Sequence, residues 1–580
     1  MCNQDQQLSE NIQAGYKKRG RDKEVSRKRQ ARVEDSASTD CPGRSNGRMA
    51  VAARAALLSG IAMIACWQCA PSEALRILVI SPLNSRSHDA MSDRLAKALA
   101  ARGHQVDAYS HHPPKKPLAN YRHHSLAGTL PAFTNNMSYS EARQFRGDPP
   151  RLVFKRIVEP VCELMGLPVF ERLLREPPRD PAYDLVVLQM FVADCYLAWG
   201  RHLGAPLVGL SAISSLDWFS GALGNPFNAA ITPAFATDLH APMDFWQRLY
   251  NAAWSAFASH SLGRMFAEQH SFVERYFGAG YPSIEELRRD LDLLVVNSHY
   301  SLDGVKPLTQ ALVPAAGMHI SPEDNATLPE QVQRWLDASE HGCVYFTFGS
   351  MLRIETLPRA ALEAIYAAFG NVAPVRVLMK IARPEALPPG LPANVMPQPW
   401  FSQVQVFKHK NVKAFITHGG LMSSIEAISS KIPMIGIPIF GDQPYNVKTN
   451  VRKGIATYVD IDSITADKLT RAIKDVLDDP SYRDNMNRLS EKFVDRPMTP
   501  LDTAIYWVEY VARHGKRCLR SPLVDMPWWQ ANLLDVYAFV ACVLILAYYI
   551  LKFLVKKICG VCCASRDQSS SGKLQSKKKR

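Results

Sequence analysis

Short apolar runs and amphipathic stretches alternate along the first part of the chain. Residues 75–80 form a β-branched run that ends in Ser81-Pro82, and residues 87–102 then carry apolar side chains at helical spacing. A strand, a loop and a helix in this order are typical of a βα unit. Similar strand-like runs follow at residues 106–110, 185–188 and 206–210. These runs predict a parallel α/β domain.

A second series of strand-like runs follows a long helical and aromatic stretch at residues 218–280. Its members are residues 291–297, 343–348, 375–380, 412–417 and 433–438. Two doubly wound domains in tandem imply a cleft between them, and ligands of such sheets bind beyond the carboxyl ends of the strands. We therefore expect functional residues directly after these strands. Helices that cover the sheet explain the aromatic stretch, and a fraction of its side chains is expected to line an apolar pocket.

The net charge of +14 lies largely at the two ends of the chain. Residues 1–48 are basic and polar with almost no apolar periodicity, a composition typical of disorder. Residues 49–74 then have the layout of a secretory signal peptide, with a short apolar stretch behind Arg48 and small residues near its end. An export signal makes a nucleic-acid-binding protein built on the basic ends the poorer interpretation. Whether translation starts at Met1 or at Met49 stays open.

An almost unbroken apolar run at residues 537–555 has about the ~20 residues that cross a bilayer. Trp528 and Trp529 before the run suit one membrane interface, and the basic residues 577–580 close the chain. By the positive-inside rule the basic tail is cytoplasmic, so the bulk of the chain is expected to be lumenal or extracellular.

Two glycosylation triplets agree with that side of a membrane. Asn136 and Asn325 each begin an Asn-x-Ser/Thr triplet, which is a weak signal taken alone. The cysteines left in the lumenal part are too few for a scaffold built on disulfides. They are Cys162, Cys195, Cys343 and Cys518.

A His-Gly-Gly run at residues 418–420 follows directly on the predicted strand at 412–417. Glycines after a strand let the backbone approach a ligand closely, and the N-terminus of the next helix offers free N–H groups and a positive dipole to a diphosphate. Gly349-Ser350, after the strand at 343–348, forms a second loop of small residues that suits the same phosphates. A diphosphate held in this way needs no metal ion.

Further side chains near these strands suit the other parts of a nucleotide joined to a sugar. Trp400 offers a flat face on which a base stacks, and Glu426 can accept two hydrogen bonds from a ribose diol. Asp442 and Gln443, after the strand at 433–438, provide acceptor and donor atoms for sugar hydroxyls. Each residue taken singly has an ordinary structural explanation, and the order of the whole set carries the specificity.

In that order, residues 400–403, 415–426 and 433–446 resemble the signature of the UDP-glycosyltransferase family. This inverting family includes the UDP-glucuronosyltransferases. Further blocks that look like family landmarks lie at residues 295–299, 495–497, 507–510, 519–522 and 528–529. The resemblance covers about residue 75 to the tail. It implies an α/β fold of two tandem Rossmann-like domains that face each other across a cleft, the GT-B type, with a C-terminal transmembrane helix.

The resemblance also implies a role for each matched residue of the donor site. Trp400 and Gln403 would hold the uridine and Glu426 the ribose, whereas Asp442 and Gln443 would hold the transferred sugar. The diphosphate would be held by the group Ser350, His418, Gly420 and Ser423. Ser423 enters this group because Met422 stands where many vertebrate members have an Asn that touches phosphate. Ser402 replaces a common Pro beside the uridine.

His88 is the expected catalytic base, because it opens the first helix at the mouth of the cleft and matches the catalytic His of the family. An attacking alcohol or phenol must lose its proton, and imidazole suits that role near neutral pH. A carboxylate normally orients such a base. Gln189 stands, by count from the preceding strand, where vertebrate members have Asp, so Asp194 a few residues on is the predicted partner.

The resemblance divides the chain into a set of expected segments. A basic extension (1–48) and a signal peptide (49–74) precede an acceptor domain (75–285) and a UDP-sugar domain (286–520). A linker (521–536), a transmembrane helix (537–555) and a cytoplasmic tail (556–580) follow. The pair Lys577-Lys578 looks like the dilysine signal that returns animal members to the endoplasmic reticulum, so we expect a single-pass membrane protein there.

The expected activity is transfer of a hexose, with inversion, from a UDP-sugar to a hydroxyl of a small lipophilic acceptor. Glucose is favoured over glucuronate because the Leu421-Met422 pair and the ending at residues 519–536 look like invertebrate members. No cofactor, metal ion or nucleic acid is expected, and a homo-oligomer is left open. The alternative is a membrane-anchored protein of the same fold that binds a UDP-sugar or a lipophile without catalysis.

Overall fold

The computed structural model describes residues 74–145, 152–191, 193–214, 217–225, 227–234, 237, 239–321 and 327–575. The basic extension, the signal peptide up to residue 73, Asn325 and residues 576–580 lie outside this range. The predictions made for them therefore stay predictions.

Seven parallel strands form the first sheet, in the order β3-β2-β1-β4-β5-β6-β7. They are β1 (Arg76–Ser81), β2 (Gln105–Ser110), β3 (Tyr121–Ser125), β4 (Leu185–Gln189), β5 (Leu207–Ser211), β6 (Leu293–Val296) and β7 (Leu312–Pro314). The strand expected at residues 291–297 to open the second sheet is thus β6 of the first sheet. The expectation was wrong because the sequence of a buried strand with four apolar residues does not indicate which of the two sheets contains the strand.

The helices of the first half lie between these strands along the chain. They are α1 (Arg86–Ala101), α2 (Tyr139–Gln144), α3 (Glu159–Glu163), α4 (Pro168–Arg175), α5 (Ala198–His202), α6 (Asp217–Ala222), α7 (Phe245–Phe277), α8 (Ile284–Arg288) and α9 (Tyr300–Asp303). The helical stretch expected at residues 218–280 is mainly α7, a helix of 33 residues. An Asp244 capping box starts it and Gly278 ends it.

Six parallel strands form the second sheet, in the order β10-β9-β8-β11-β12-β13. They are β8 (Cys343–Thr347), β9 (Arg376–Lys380), β10 (Val395–Gln398), β11 (Val412–Thr417), β12 (Met434–Gly436) and β13 (Ala456–Tyr458). Its helices are α10 (Glu330–Asp337), α11 (Arg359–Asn371), α12 (Gln403–Lys408), α13 (Leu421–Ser429), α14 (Gln443–Arg452), α15 (Ala466–Asp478), α16 (Pro480–Val494) and α17 (Pro500–His514).

The central strands of both sheets are near-continuous apolar runs because helices cover both faces. In β4, for example, all five residues are buried. Two core clusters lie on the two faces of the first sheet, since Leu78 and Ile80 belong to one and Ile77 and Val79 to the other. This arrangement of two parallel sheets confirms the predicted fold class.

Helix α17 returns to the first sheet although it follows the strands of the second. Ile505 and Val508 are buried in the same core cluster as α1. At the edge of this contact Arg102 Nη2 lies 2.9 Å from Asp502 Oδ1, and His104 Nε2 lies 3.2 Å from Glu509 Oε1. The last helix of the second half therefore holds the two halves together.

A stretch of the first half, residues 133–145, also packs on the second half, and we call it the docking segment. Its backbone runs beside the loop after β8: Asn135 N donates to Ser350 O at 2.7 Å, and Met137 bridges to Leu352. Met137 is buried, whereas the expected glycosylation residue Asn136 between them is exposed. Farther on, Tyr139 Oη and Arg143 both donate to the Asp462 carboxylate.

The chain ends in α18 (Trp528–Ala531) and the long α19 (Leu534–Gln575). Within the described residues, 534–560 form the one stretch of helix long and apolar enough to cross a membrane. Its large apolar side chains, such as Phe539 and Leu544, are exposed rather than packed on the protein. The stretch includes the predicted span at 537–555 and is compatible with membrane anchoring.

Candidate functional site

The candidate donor residues gather at the carboxyl ends of neighbouring strands in the second sheet. Strand β8 leads into Gly349-Ser350 and its neighbour β11 leads into the run 418–420, which caps α13 at Gly420. Because the strands are parallel and adjacent, these loops lie side by side at one edge of the sheet. The first N–H groups of α13 have no partner within the helix and are available to an anion at this edge.

The ring of His418 lies between two glycines. A Cβ built on Gly349 would come within 2.7 Å of the ring, and one built on Gly420 within 2.8 Å. Both positions must therefore stay glycine if the ring is to stay where it is. Burial, and in second place the nearby charge of Lys380, lower the pKa of His418 to about 4. The imidazole is accordingly neutral near pH 7, and it can donate one hydrogen bond to a phosphate oxygen.

Gly419 is needed for a different reason. Its φ of +83° lies in the left-handed region, and a Cβ there would come within 2.3 Å of Val447 on α14. Gly436 at the end of β12 would meet the same side chain at 2.3 Å. The glycines thus allow α14 to pack directly against the loop at residues 418–420. Asn446 Nδ2, from the same helix, donates to Gly419 O at 3.0 Å.

Trp400, Gln403 and Glu426 form the part of the site expected to receive the nucleoside. Trp400 leaves 53% of its side chain exposed, so one face of the indole is free to stack on a base. Gln403 Nε2 donates to Glu426 Oε2 at 2.6 Å. His319 Nε2 lies 3.3 Å from the other Glu426 oxygen. The hydrogen bond from Gln403 orients the carboxylate before any ligand arrives.

Asp442 and Gln443 lie at the start of α14, beyond the end of β12. Gln443 Oε1 accepts hydrogen bonds from Ile439 N at 2.9 Å and from Phe440 N at 3.1 Å, which fixes the side chain and leaves its amide nitrogen for a ligand. Asp442 Oδ2 accepts from Asn446 Nδ2 at 2.8 Å. Burial raises the pKa of Asp442 above its usual value. The carboxylate of Asp442 keeps acceptor capacity, and the Gln443 amide keeps N–H donors, of the kind that bind sugar hydroxyls.

The remaining phosphate candidates are Ser350 and Ser423, which are both partly buried. Ser423 lies in the first turn of α13, where its N–H and hydroxyl are available to an anion. Met422 beside it packs against the core of the first domain, and its Sδ lies 3.0 Å from Asn297 Nδ2, which donates. Asn297 directly follows β6. The carboxyl edge of the first sheet therefore touches the N-terminus of the helix that carries the candidate donor site.

Lys380 is a candidate that the sequence analysis did not select. It is the last residue of β9, is 3% exposed, and its Nζ lies 6.0 Å from the centre of the Trp400 ring. Its ammonium donates to Asn135 Oδ1 of the docking segment. Burial lowers the pKa of Lys380 to about 8, and Glu355 opposes that shift. The rule that functional residues follow strand ends points to this position, since the run at 375–380 was predicted as a strand.

His88, the expected base, lies in the first turn of α1 and is partly buried. Its ring packs on Phe191, with 4.5 Å between centroids and 56° between planes. The preceding loop is fixed by its neighbours: Leu83 N donates to Gln189 Oε1 at 3.1 Å, and His111 Nε2 lies 2.9 Å from Pro82 O. Burial lowers the pKa of His88 to about 4, so the imidazole is neutral near pH 7.

Asp194 is not brought to His88. It is fully buried at the start of a short 3-10 turn, and its Oδ2 accepts from Arg288 Nε at 2.6 Å. Its other oxygen, Oδ1, has no partner within the part of the chain described. Burial raises the pKa of Asp194, and the Arg288 charge opposes this shift. The next residue, Cys195, forms a disulfide with Cys162 that ties the turn to α3.

The comparisons with known proteins agree with this geometry. Residues 182–566 match the sequence model of the family described as "UDP-glucoronosyl and UDP-glucosyl transferase". The chain is 34% identical to UDP-glucosyltransferase 2 of Dactylopius coccus over 84% of this chain and 93% of that protein. It is 27% identical to UDP-glucuronosyltransferase 2A3 of Mus musculus over 89% of this chain and 95% of that one.

A solved structure supports the fold independently. The crystal structure of Arabidopsis thaliana UGT89C1 complexed with UDP-L-rhamnose superposes with a TM-score of 0.51 at 15% identity, over 76% of this chain and all of that one. The chain thus has the predicted GT-B fold, the expected cluster of residues at the carboxyl ends of its second sheet, and a family match over more than half of its length. It belongs to the UDP-glycosyltransferase family and is a transferase that uses a UDP-sugar donor.

Proposed function

We propose that this enzyme transfers glucose from UDP-glucose to a hydroxyl of a small lipophilic acceptor, with inversion at the anomeric carbon. The observation that carries the proposal is the contact between Asn297 and Met422, 3.0 Å from Nδ2 to Sδ. Through it the carboxyl edge of the acceptor half meets the first turn of α13. The loop that carries His88 leaves the same edge of the first sheet, so base and donor share one cleft.

The reaction is a single in-line displacement. The acceptor oxygen forms a bond to the anomeric carbon, its proton passes to the imidazole of His88, and the bond from that carbon to the phosphate oxygen breaks. UDP leaves with the electron pair of that bond. An α-linked donor then gives a β-linked product. The neutral state of His88 supports its assignment as the base, because an imidazolium has no free lone pair to accept the proton.

Each part of the donor is bound by its own group of side chains. Trp400 stacks on the uracil with Gln403 at its edge, and Glu426 accepts from the ribose hydroxyls. Asp442 and Gln443 bind the hydroxyls of the glucose. The diphosphate is held without a metal ion by the α13 N-terminus and by Ser350, His418, Gly420 and Ser423. These assignments follow the family resemblance, and the positions of the side chains at the strand ends support them.

Glucose is the proposed sugar because the insect relative at 34% identity is named for UDP-glucose. The mouse relative named for glucuronate is the less similar of the two, at 27%. The acceptor half carries apolar and aromatic side chains, such as Phe191, next to His88, which suits a lipophilic acceptor.

The enzyme is proposed to reside in the endoplasmic reticulum membrane with its catalytic part in the lumen. The helix at residues 534–560 supplies the anchor. The disulfide between Cys162 and Cys195 supports an oxidising compartment, and Asn136 is exposed for glycosylation. The basic tail stays on the cytoplasmic side.

The test compares two donors and two proteins on microsomal membranes. Release of UDP is measured with UDP-glucose or UDP-glucuronate and a panel of phenols, for the wild type and for His88→Ala. We expect turnover with UDP-glucose and a loss of about a hundredfold to ten-thousandfold in kcat for the variant. UDP-glucose affinity should not change. Preference for UDP-glucuronate would refute the sugar assignment, and equal activity of the variant would refute the base.

A further inference from the structure

The ring of His88 has an apolar neighbour and no anionic one. Phe191 packs on it at 4.5 Å, and in the described part of the chain no hydrogen bond or ion pair reaches either ring nitrogen. The residue also lies in the first turn of α1, where the helix dipole disfavours a positive charge. Protonation of this ring is therefore stabilised by very little.

Asp89, which follows His88 in the sequence, and Asp194, the predicted partner, are both engaged elsewhere. Asp89 is buried, and its Oδ2 lies 2.9 Å from His112 Nδ1. Adjacent residues of a helix do not face each other, so Asp89 points away from the ring of His88. Asp194 is paired with Arg288 at 2.6 Å. Asp194 cannot move to the imidazole without leaving the buried guanidinium of Arg288 unpaired, and Asp89 cannot do so without losing its contact with His112.

Position 189 is the place at the end of β4 from which a side chain can reach this corner of the cleft. Gln189 is buried there, two residues before Phe191, and its Oε1 accepts from Leu83 N in the loop that leads to His88. Its Nε2 is buried and without a partner within the described residues. An amide has no net charge, so Gln189 fixes the loop but does not stabilise an imidazolium.

We infer that the acceptors of this enzyme are acidic hydroxyls, the phenols and enols, and that aliphatic alcohols of the same size are poor substrates. The inference rests on the proposed function and names its acceptor class. The oxygen–carbon bond forms and the carbon–phosphate-oxygen bond breaks as before, while the proton of the acceptor goes to His88. A phenol has a pKa of about 10, whereas an aliphatic hydroxyl resembles water at about 16. A phenol oxygen is thus already nucleophilic with little transfer of its proton.

The pKa of His88, lowered by burial to about 4, supports the same conclusion. A base of this strength takes a proton from an aliphatic alcohol only against a large free-energy difference. It follows that the rate of transfer should depend steeply on the acidity of the acceptor, whereas a base paired with a carboxylate makes the rate less sensitive to it.

The first experiment uses the full-length enzyme in membranes with UDP-glucose. Each phenol is paired with its saturated analogue, phenol with cyclohexanol and para-cresol with its methylcyclohexanol, and kcat is measured for each pair. We expect kcat to be about a hundredfold or more lower for the alcohol of each pair. Values within a few-fold of each other would overturn the inference while leaving the transferase activity intact. No turnover of any acceptor would refute the proposed function and the inference together.

The second experiment adds the missing charge. Gln189→Asp is compared with Gln189→Asn, which shortens the side chain equally without a charge. We expect the Asp variant to turn over cyclohexanol about tenfold faster than the Asn variant, with a smaller change for phenol. The acid limb of its pH profile should also move to higher pH, because a carboxylate raises the pKa of the imidazole. Identical ratios of alcohol to phenol turnover in two variants that bind UDP-glucose equally would contradict the inference.

Discussion

Gln403 and Glu426 are joined by a hydrogen bond of 2.6 Å in which the amide nitrogen donates to the carboxylate. Gln403 begins α12 and Glu426 lies in the second turn of α13, so one contact fixes the two helices that border the nucleoside end of the donor site. The carboxylate still has acceptor capacity for a ribose diol, because an ionised carboxylate offers about four lone-pair sites.

Glu426→Gln should weaken donor binding with little effect on the acceptor. The variant keeps the size of the side chain and removes the charge that makes its hydrogen bonds strong, a loss of about 1.5 kcal/mol or more. We expect the KM for UDP-glucose to rise about tenfold or more and the KM for the phenol to stay unchanged. Glu363→Gln, on a surface ion pair with Arg359, is the matched control. An unchanged donor KM would exclude Glu426 from ribose binding.

Gly420→Ala tests the position of the His418 ring. The new methyl would meet that ring at 2.8 Å, and its three nearest heavy atoms all belong to the ring, so the ring must move. We expect the affinity for UDP to fall about tenfold, measured by calorimetry, while the fold is retained. Gly263→Ala on α7 is the control, since nothing lies within 4 Å of its new methyl. Equal UDP affinity in both variants would argue against His418 as a phosphate ligand.

The lowered pKa of Lys380 leads to a prediction of how donor binding depends on pH. Its pKa is lowered by burial to about 8, so the side chain is charged at pH 7 and loses its charge as the pH rises above 8. An ammonium at this place attracts the diphosphate, so the dissociation constant of UDP should increase between pH 7 and pH 9. In Lys380→Gln the dissociation constant should be higher at pH 7 and nearly independent of pH over that range. A wild-type profile as flat as that of the variant would remove Lys380 from the donor site.

The disulfide predicts sensitivity to reduction. Cys162 and Cys195 are 33 residues apart, and closing a loop of that length stabilises a fold by about 4 kcal/mol in the chain-entropy estimate. Thermal inactivation of the Cys162→Ser, Cys195→Ser double variant should therefore occur at a lower temperature than that of the wild type. Dithiothreitol should destabilise the wild type and leave the double variant unchanged. Cys518→Ser, at a free cysteine, is the control and should behave as the wild type does.

Much of the donor site was predictable because its residues are contiguous with strong strand signals. The run at 412–417 is followed by His418-Gly419-Gly420 and matches β11 residue for residue. The parallel neighbours β8 and β12 then bring Ser350 and Asp442 to the same edge, as the rule for ligands at carboxyl ends requires. The same rule points to the end of the strand at 375–380, but Lys380 was not selected there, because a lysine at the end of a strand most often faces solvent.

The acceptor side was less predictable because it depends on contacts between distant parts of the chain. Asp194 was expected beside His88 from its place in the sequence. In the structure it is paired with Arg288, 94 residues away. The tertiary structure decides which carboxylate pairs with a buried Arg, and no local sequence pattern indicates that partner. The placement of β6 in the first sheet was not predicted for a similar reason. Its four apolar residues do not indicate which sheet contains the strand.

The docking segment connects the loop after β8, which carries Ser350, to the acceptor half of the molecule. Asn135 donates its backbone N–H to Ser350 O and its side chain accepts from Lys380, so two residues of the candidate donor site have a partner in the acceptor half. Separation of the halves at this seam would break both contacts at once. A nucleotide that holds Ser350 and Lys380 in place would therefore also favour the contact between the two halves.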